Sequence, residues 1–582
     1  MFKTLGYLRR KDWAMICIAV VFIVIQVWLD LKLPEYMGAI TRLVETPGST
    51  MSEILRNGEY MIFCALGSLA AAIAVGFLAS KVGASLSQRM RSMLYNKVDS
   101  FSMAEINKFS TASLITRSTN DVTQIQLVVT MGLQIIVKAP ILAVWALFKI
   151  YNKGFEWTMA TGVAVVILML MFAVLFFLVV PKFRKMQTLT DNINRVAREN
   201  LTGLPVVRAY NAESYEEEKF EKANEELTYT QLYTSRAMAV LMPAISLIMN
   251  CLLLAVYWIG AVLINAADPL NKLPLFSDMI VFSSYSMQVL MAFMMITMLF
   301  IMLPRAQVSA KRINEVIDTE PSIKDGDVNE PDTLIKGEVE FKNVSFRYPG
   351  AADDVLTDIS FKASKGETVA FIGSTGSGKS TLINLVPRFY DASEGSVLVN
   401  GTDVREYTSE ALHERIGYVP QKAVLFSGTI SSNVAFGREA NENEIKDAVR
   451  IAQGSDFAEK MDNGYNAAIA RGGANVSGGQ KQRLAIARAV CKRPEIYVFD
   501  DSFSALDYKT DRDLRSALKR ETEGATCLIV AQRIGTIMDA DKIVVLDDGR
   551  IAGIGTHKEL LRTCEVYKEI AVSQLSEEEL SL

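Results

Sequence analysis

Six apolar runs lie before residue 305, at positions 13–33, 60–80, 132–150, 157–180, 238–264 and 278–303. Each is near the ~20 residues that a helix needs to cross the hydrocarbon of a bilayer. The first part of the chain is therefore constrained to a bundle of membrane helices. The connections after the second and fourth runs are long, polar and helical in pattern, whereas the others are short. The long ones carry Arg89, Arg91, Lys97, Arg117, Lys182, Arg184, Lys185, Arg195 and Arg198, and the N-terminus adds Lys3, Arg9, Arg10 and Lys11. The positive-inside bias places these segments in the cytoplasm. An even number of spans returns the rest of the chain to that side, so both termini are expected there. The first run is too long for a signal peptide and lacks a small-residue cleavage site after it, so it reads as an anchor.

At 582 residues the chain exceeds what one core organises, and its composition splits accordingly. Half the residues are hydrophobic while 22% are charged, which suits a membrane half joined to a soluble half. Lys and Arg are scattered and the net charge is -4, so no nucleic-acid-binding surface is expected. The six cysteines stand singly, without metal-ligand spacing, and read as reduced thiols. Asp30, Lys32 and Lys138 fall near estimated span ends, where snorkelling to the interface is expected. In the last span Met287, Met291, Met294, Met298 and Met302 share one helical face. Such a soft stripe either lines a cavity for varied apolar ligands or packs against other helices.

After Leu303-Pro304 an acidic, Pro-punctuated connector begins. The expected division is a six-helix transmembrane domain over 1–319, a linker over 320–336 and a soluble domain over 337–582. From Gly337 short β-rich runs at Val339–Phe346, 367–372, 396–399, 495–500 and 527–531 alternate with helical segments, one of them starting at Lys379, which predicts an α/β domain. Directly after the apolar run 369–372 comes Gly373-Ser374-Thr375-Gly376-Ser377-Gly378-Lys379-Ser380-Thr381, a Walker A loop in strand-to-helix context. Its glycines let backbone N–H groups and the helix N-terminus hold phosphates. Lys379 is expected to reach the β- and γ-phosphates of ATP, and the Ser380 hydroxyl to ligate Mg²⁺. Asp500, ending the apolar run 496–499, is the Walker B carboxylate expected to orient that metal.

These two motifs specify only a P-loop NTPase. Ahead of Walker B, however, stands Asn475-Val476-Ser477-Gly478-Gly479-Gln480, with Arg483 following, and this resembles the signature of the ATP-binding cassette (ABC) family. With six spans in front, the chain resembles the ABC exporters along nearly its whole length. That resemblance implies that Tyr348 stacks on adenine, that Gln421 is the Q-loop residue contacting Mg²⁺, and that Ser504-Ala505-Leu506-Asp507 is the D-loop. It further implies coupling segments at Phe101 to Phe109, followed by Leu114 to Arg117, and at Val207-Arg208-Ala209-Tyr210-Asn211 with Glu213 and Glu216. A soluble P-loop machine with the same signature would carry long coiled coils instead of apolar spans.

Two positions depart from the family pattern. Where the family has a Glu as general base, this chain has Asp501, one methylene shorter; where it has a switch His, the chain reads Ala531-Gln532-Arg533. Gln can hydrogen-bond a γ-phosphate but carries no proton or charge to it. Ala470 replaces a residue that is usually acidic. Since family cassettes pair head to tail, with each ATP between one Walker A and the other's signature, the pattern implies half of a heterodimeric exporter. Its own site would hydrolyse weakly, while Ser477, Gly478 and Gly479 would serve ATP held by a second, non-identical half-transporter. The expected setting is a bacterial cell membrane and the expected cargo an amphipathic small molecule. Uptake through the same fold, and a nucleotide-gated regulatory or channel-like protein, are the alternatives.

Overall fold

The computed structural model describes residues 2–46, 48–151, 154–331, 335–504, 506–521 and 524–575. By internal contacts the chain forms two units. One contains the residues up to Asp99 and Ala112–Thr319; the other contains Ser100–Thr111 and the chain from Glu320 onward. Residues 332–334 of the linker and Ala505 of the D-loop lie outside the described residues.

The first unit is helical, and among the described residues six helices are long and apolar enough to cross a membrane: Arg10–Glu45, Met51–Asp99, Thr111–Tyr151, Phe155–Ala209, Glu213–Ala266 and Asn271–Met298. The last is part of the helix Pro269–Asp318. Phe155–Ala209 has 55 residues, about 80 Å of helix against ~30 Å of hydrocarbon. The apolar runs therefore mark only the membrane-crossing part of each rod. Side chains such as Phe63, Phe148, Phe177 and Trp258 are exposed, as lipid-facing residues are. The unit's own core gathers Ile23, Val27, Leu31, Trp157, Phe282 and Tyr285. There Trp157 Nε1 donates to the Val256 carbonyl at 3.1 Å, which satisfies the one polar atom of a buried indole. At Gly38 an added Cβ would lie 2.4 Å from Val281, so glycine is what lets the first and last helices approach. The helix Thr111–Tyr151 includes a π-turn, Arg117–Asp121. Here Arg117 donates to the Arg312 carbonyl and Glu315, and Asp121 accepts from Ser309.

The second unit is α/β. Its six-stranded sheet runs, in spatial order, Arg550–Gly555, Lys542–Asp547, Thr368–Gly373, Thr526–Val530, Ile496–Asp500 and Ile416–Val419. All neighbours are parallel except the Arg550–Gly555 edge. Being covered on both faces, the central strands are continuous apolar runs: every residue of Ile496–Asp500 is buried. A second, four-stranded sheet contains Val339–Phe346, Leu356–Ala363, Glu394–Val399 and Thr402–Asp403. The connector is tied down at Val328, which bridges to Tyr407.

Candidate functional site

In an open parallel sheet ligands bind beyond the carboxyl ends of the strands, where loops can converge. Four neighbouring strands end here in the residues singled out from the sequence. Thr368–Gly373 leads to Lys379, Thr526–Val530 to Gln532, Ile496–Asp500 to Asp501, and Ile416–Val419 to Gln421.

The loop Gly373 to Gly378 turns sharply before the helix Lys379–Asn384, with Gly376 and Gly378 at φ +91°. At Gly378 a Cβ would also strike Leu356 at 2.6 Å, so both conformation and space require glycine. Lys379 Nζ donates to the carbonyls of Gly373 (3.0 Å) and Ser374 (2.6 Å) and to Ser377 Oγ (3.2 Å), which holds the ammonium over the loop. Burial pushes its pKa below the ordinary lysine value, against the opposing pull of Asp501 and Asp500. Ser380 Oγ donates to Asp500 Oδ1 at 2.7 Å. Burial raises the Asp500 pKa, Asp501 adds to that, and Ser380 and Lys379 oppose it. A hydroxyl and a buried carboxylate converging beside phosphate-binding geometry are the hard oxygen donors that Mg²⁺ takes, so the residues fit that ion.

Asp501 stands at φ +45° with its N–H on the Val530 carbonyl. Asp tolerates this left-handed region better than most residues. Its Oδ2 accepts from two amides at once, Gln532 Nε2 at 2.7 Å and Gln421 Nε2 at 3.2 Å. The predicted base, switch and Q-loop residues thus meet on one oxygen, and Gln421 faces Asp501 in place of the Ser380–Asp500 pair. A cavity of about 10 Å³, lined by Asp501, Ser504, Gln532 and Arg533, lies beside them and has room for about one water.

Tyr348 donates to or accepts from Thr381 Oγ1 at 2.9 Å and packs edge-on against Phe346 and Tyr390. Tyr390, which the sequence reading passed over, also accepts from Asn107 Nδ2 at 3.2 Å. Asn107 belongs to the helix Met103–Phe109, whose flanking rings Phe101 and Phe109 are buried and stacked at 5.8 Å. A reciprocal cap between Ser102 and Glu105 starts this helix, and Glu105 reaches the Ser322 N–H at 3.2 Å. The other expected coupling segment is no separate helix. Residues 207–211 close a turn with Asn211 at φ +50° and Ala212 N–H on the Val207 carbonyl, a helix stop, and leave Arg208, Tyr210 and Asn211 exposed.

The signature forms the start of the helix Gly478–Lys492. Ser477 Oγ accepts from Gln480 N–H while Gln480 Oε1 accepts from Ser477 N–H, a capping box that fixes both side chains. Ser477 and Gly478 are exposed, and nothing lies within 4 Å of where a Gly478 Cβ would be. This is an open helix N-terminus of 15 residues with a positive dipole end, suited to an anion brought by another molecule. About one helical turn along, the buried Gln482 donates to the Pro420 carbonyl at 3.3 Å, joining this helix to the residue before Gln421.

In the membrane unit Met291 and Met298 are exposed at 44% and 50%, while Met287 and Met294 are half-buried. Met294 packs against the core of this unit, so packing accounts for part of the stripe and leaves Met291 and Met298 uncovered. Asp30, Lys32 and Lys138 are paired: Lys138 with Asp30 at 3.3 Å, and Lys32 with Glu35 at 2.6 Å. Glu35, absent from the sequence reading, also takes Lys149, and the i,i+3 spacing from Lys32 was the available signal.

Residues 16–293 match the family model of the ABC transporter transmembrane region, and residues 356–504 that of the ABC transporter. An uncharacterized ABC transporter ATP-binding protein of Mycobacterium tuberculosis is 40% identical over 550 residues, 94% of this chain and 93% of the relative. An ATP-dependent lipid A-core flippase of Aromatoleum aromaticum is 30% identical over 504 residues, covering 86% and 82%. Among solved structures, a bacterial Atm1-family ABC exporter with ATP bound superposes with a TM-score of 0.80 at 26% identity, over 97% of this chain and 100% of that one.

Proposed function

The chain belongs to the ABC transporters, with the family's transmembrane region and ATP-hydrolysing domain on one polypeptide, and on that premise we propose that it is the weakly hydrolytic half of a heterodimeric bacterial exporter of amphipathic molecules. The observation that carries this is the shared oxygen. Asp501 is one methylene shorter than the family's Glu, and its Oδ2 is engaged by Gln532 and Gln421. A general base must come within about 3 Å of the attacking water, and misplacement by ~1 Å costs on the order of 100-fold. Gln532 offers an amide hydrogen to a γ-phosphate and no proton to transfer.

Lys379 and the N–H groups of the Gly373 to Gly378 loop hold the phosphates, and Tyr348 meets the base. Ser380, Asp500 and Gln421 are the residues that would hold Mg²⁺, which supplies neutralising charge to the phosphoryl oxygens. On the opposite edge Ser477, Gly478 and Gly479 present a hydroxyl and N–H groups to the partner's ATP, where charge develops during transfer. Asn107, Tyr390, Tyr348 and Thr381 form a continuous path from the first coupling helix to the phosphate loop. The basic segments named above put both termini in the cytoplasm.

Subunit analysis and phosphate release test this together. The chain purified alone is expected to hydrolyse ATP at no more than a few per cent of the rate reached with a second, different half-transporter. Brisk turnover by a homodimer contradicts the reading.

A further inference from the structure

We propose that the membrane unit contains a polar subsite, built on Asp30, Lys138 and Gln288, for a zwitterionic amphiphile whose cationic end carries N–H donors. This rests on the chain being a transporter of amphipathic molecules and names the polar end of its substrate. The helix bearing Asp30 runs on to Glu45, and that bearing Lys138 to Tyr151. Asp30 therefore lies about 22 Å of helix, and Lys138 about 20 Å, from the nearest ends. Those ends adjoin the short loops, on the side away from the long basic ones. Gln288 lies about 28 Å from the start of its helix at Pro269, on the same side. Asp30 falls three residues inside the end of its apolar run 13–33 and Lys138 inside the run 132–150, and the two side chains are paired with each other instead of extending singly to the interface.

The pair is close, 3.3 Å, with Ser68 Oγ donating to Asp30 Oδ1 at 2.5 Å, yet the two side chains keep 27% and 19% exposure. Beside it Gln288 Nε2 donates to the Asp30 carbonyl at 3.4 Å, while Gln288 Oε1 is buried and has no hydrogen-bond partner among the described residues. Apolar side chains would fasten these helices at least as well as a buried ion pair. A charge pair next to an unused acceptor in an apolar bundle is costly unless something uses it. What fits is set by charge and donors. The pair is neutral, so a zwitterion enters without leaving an unpaired charge in low dielectric, as an anion or a cation would. Its ammonium hydrogens suit Asp30 and Gln288 Oε1, and its anionic group suits Lys138. The neighbouring Glu35 cluster has one excess positive charge, but Lys149 is two residues from its helix end, where water can reach it.

Binding to the purified full-length chain, read by native mass spectrometry without ATP, tests this with phosphatidylethanolamine, phosphatidylcholine and phosphatidylglycerol as probes. Phosphatidylethanolamine is expected to bind about tenfold more tightly than phosphatidylcholine, which lacks N–H donors, or phosphatidylglycerol, which is a net anion. Gln288→Leu and the charge-exchanged Asp30→Lys/Lys138→Asp pair are each expected to erase that preference. The exchanged pair restores attraction between the helices but puts an ammonium beside Gln288 Oε1. Competition by free glycerophosphoethanolamine, a phosphodiester with no net charge, assigns the headgroup chemistry to a soluble ligand; its failure to compete assigns it to a lipid. Equal binding of the first two lipids by the wild type, or a preference surviving in Gln288→Leu, overturns the proposal. Because no ATP is used, that failure is separate from failure of the transporter reading, which phosphate release by the same preparation tests.

Discussion

The two ATP-facing edges of this cassette differ in what they leave free. On its own edge the acidic and amide groups are engaged with one another: Ser380 on Asp500, and both Gln421 and Gln532 on Asp501. On the signature edge the side chains of Ser477 and Gln480 satisfy each other in a cap, and the helix start beyond them is open. Under the proposed asymmetry the first edge holds phosphate but places its base, Asp501, one methylene short of the attacking water. The second needs no proton chemistry, only fixed dipoles, and has kept all of them. Binding and hydrolysis would then separate within one domain, because a cradle of N–H groups tolerates the loss of a base while base catalysis depends on placement to within about 1 Å.

The sharpest way to break this comparison is at Gly478. Gly478→Asp puts a carboxylate into empty space at a helix start, so folding is expected to be preserved. Phosphate release by the assembled complex should nevertheless fall on the order of 100-fold, through repulsion of the partner's γ-phosphate. A near-normal rate would remove the signature edge from the reaction. Lys379→Ala should weaken labelled-nucleotide binding at this cassette's own site by tenfold or more, since the phosphates lose their cation. Unchanged binding would mean that the edge does not hold ATP. Tyr390→Phe removes only the Asn107 bond and keeps the ring against Tyr348, so a roughly fivefold drop is expected in substrate-stimulated hydrolysis, with basal hydrolysis preserved. Equal loss of both rates would make Tyr390 a structural residue. Smallest of all is Gln532→His, expected to leave turnover of the complex within about twofold because Asp501 is still too short.

The phosphate loop and signature were legible because their geometry is written in contiguous residues: glycine where φ is positive, and lysine and serine at fixed offsets after a strand. Convergence was not. Gln421 and Gln532 lie 80 and 31 positions from Asp501, and only the parallel order of their strands brings them to one oxygen. Membrane helices were found but drawn too short, because hydropathy reports the lipid-facing stretch while the hydrogen-bonded rod continues through polar residues to Glu45 or Asp99. Residues 207–211 read as helical, and the left-handed Asn211 that turns the chain there has no strong signal beyond an Asn after an apolar-polar run. Tyr390 stands in an unremarkable loop whose role depends on two partners far away in sequence.

Asp501→Asn in the assembled heterodimer, with phosphate release followed at saturating Mg-ATP beside the unmodified complex and Ser477→Ala, tests the central asymmetry most directly. Asn keeps the shape of the side chain and removes its ability to take a proton. The account predicts that Asp501→Asn retains most of the turnover while Ser477→Ala loses most of it. If Asp501→Asn is as damaging as Ser477→Ala, this chain's own site is the hydrolytic one and the asymmetric account is wrong.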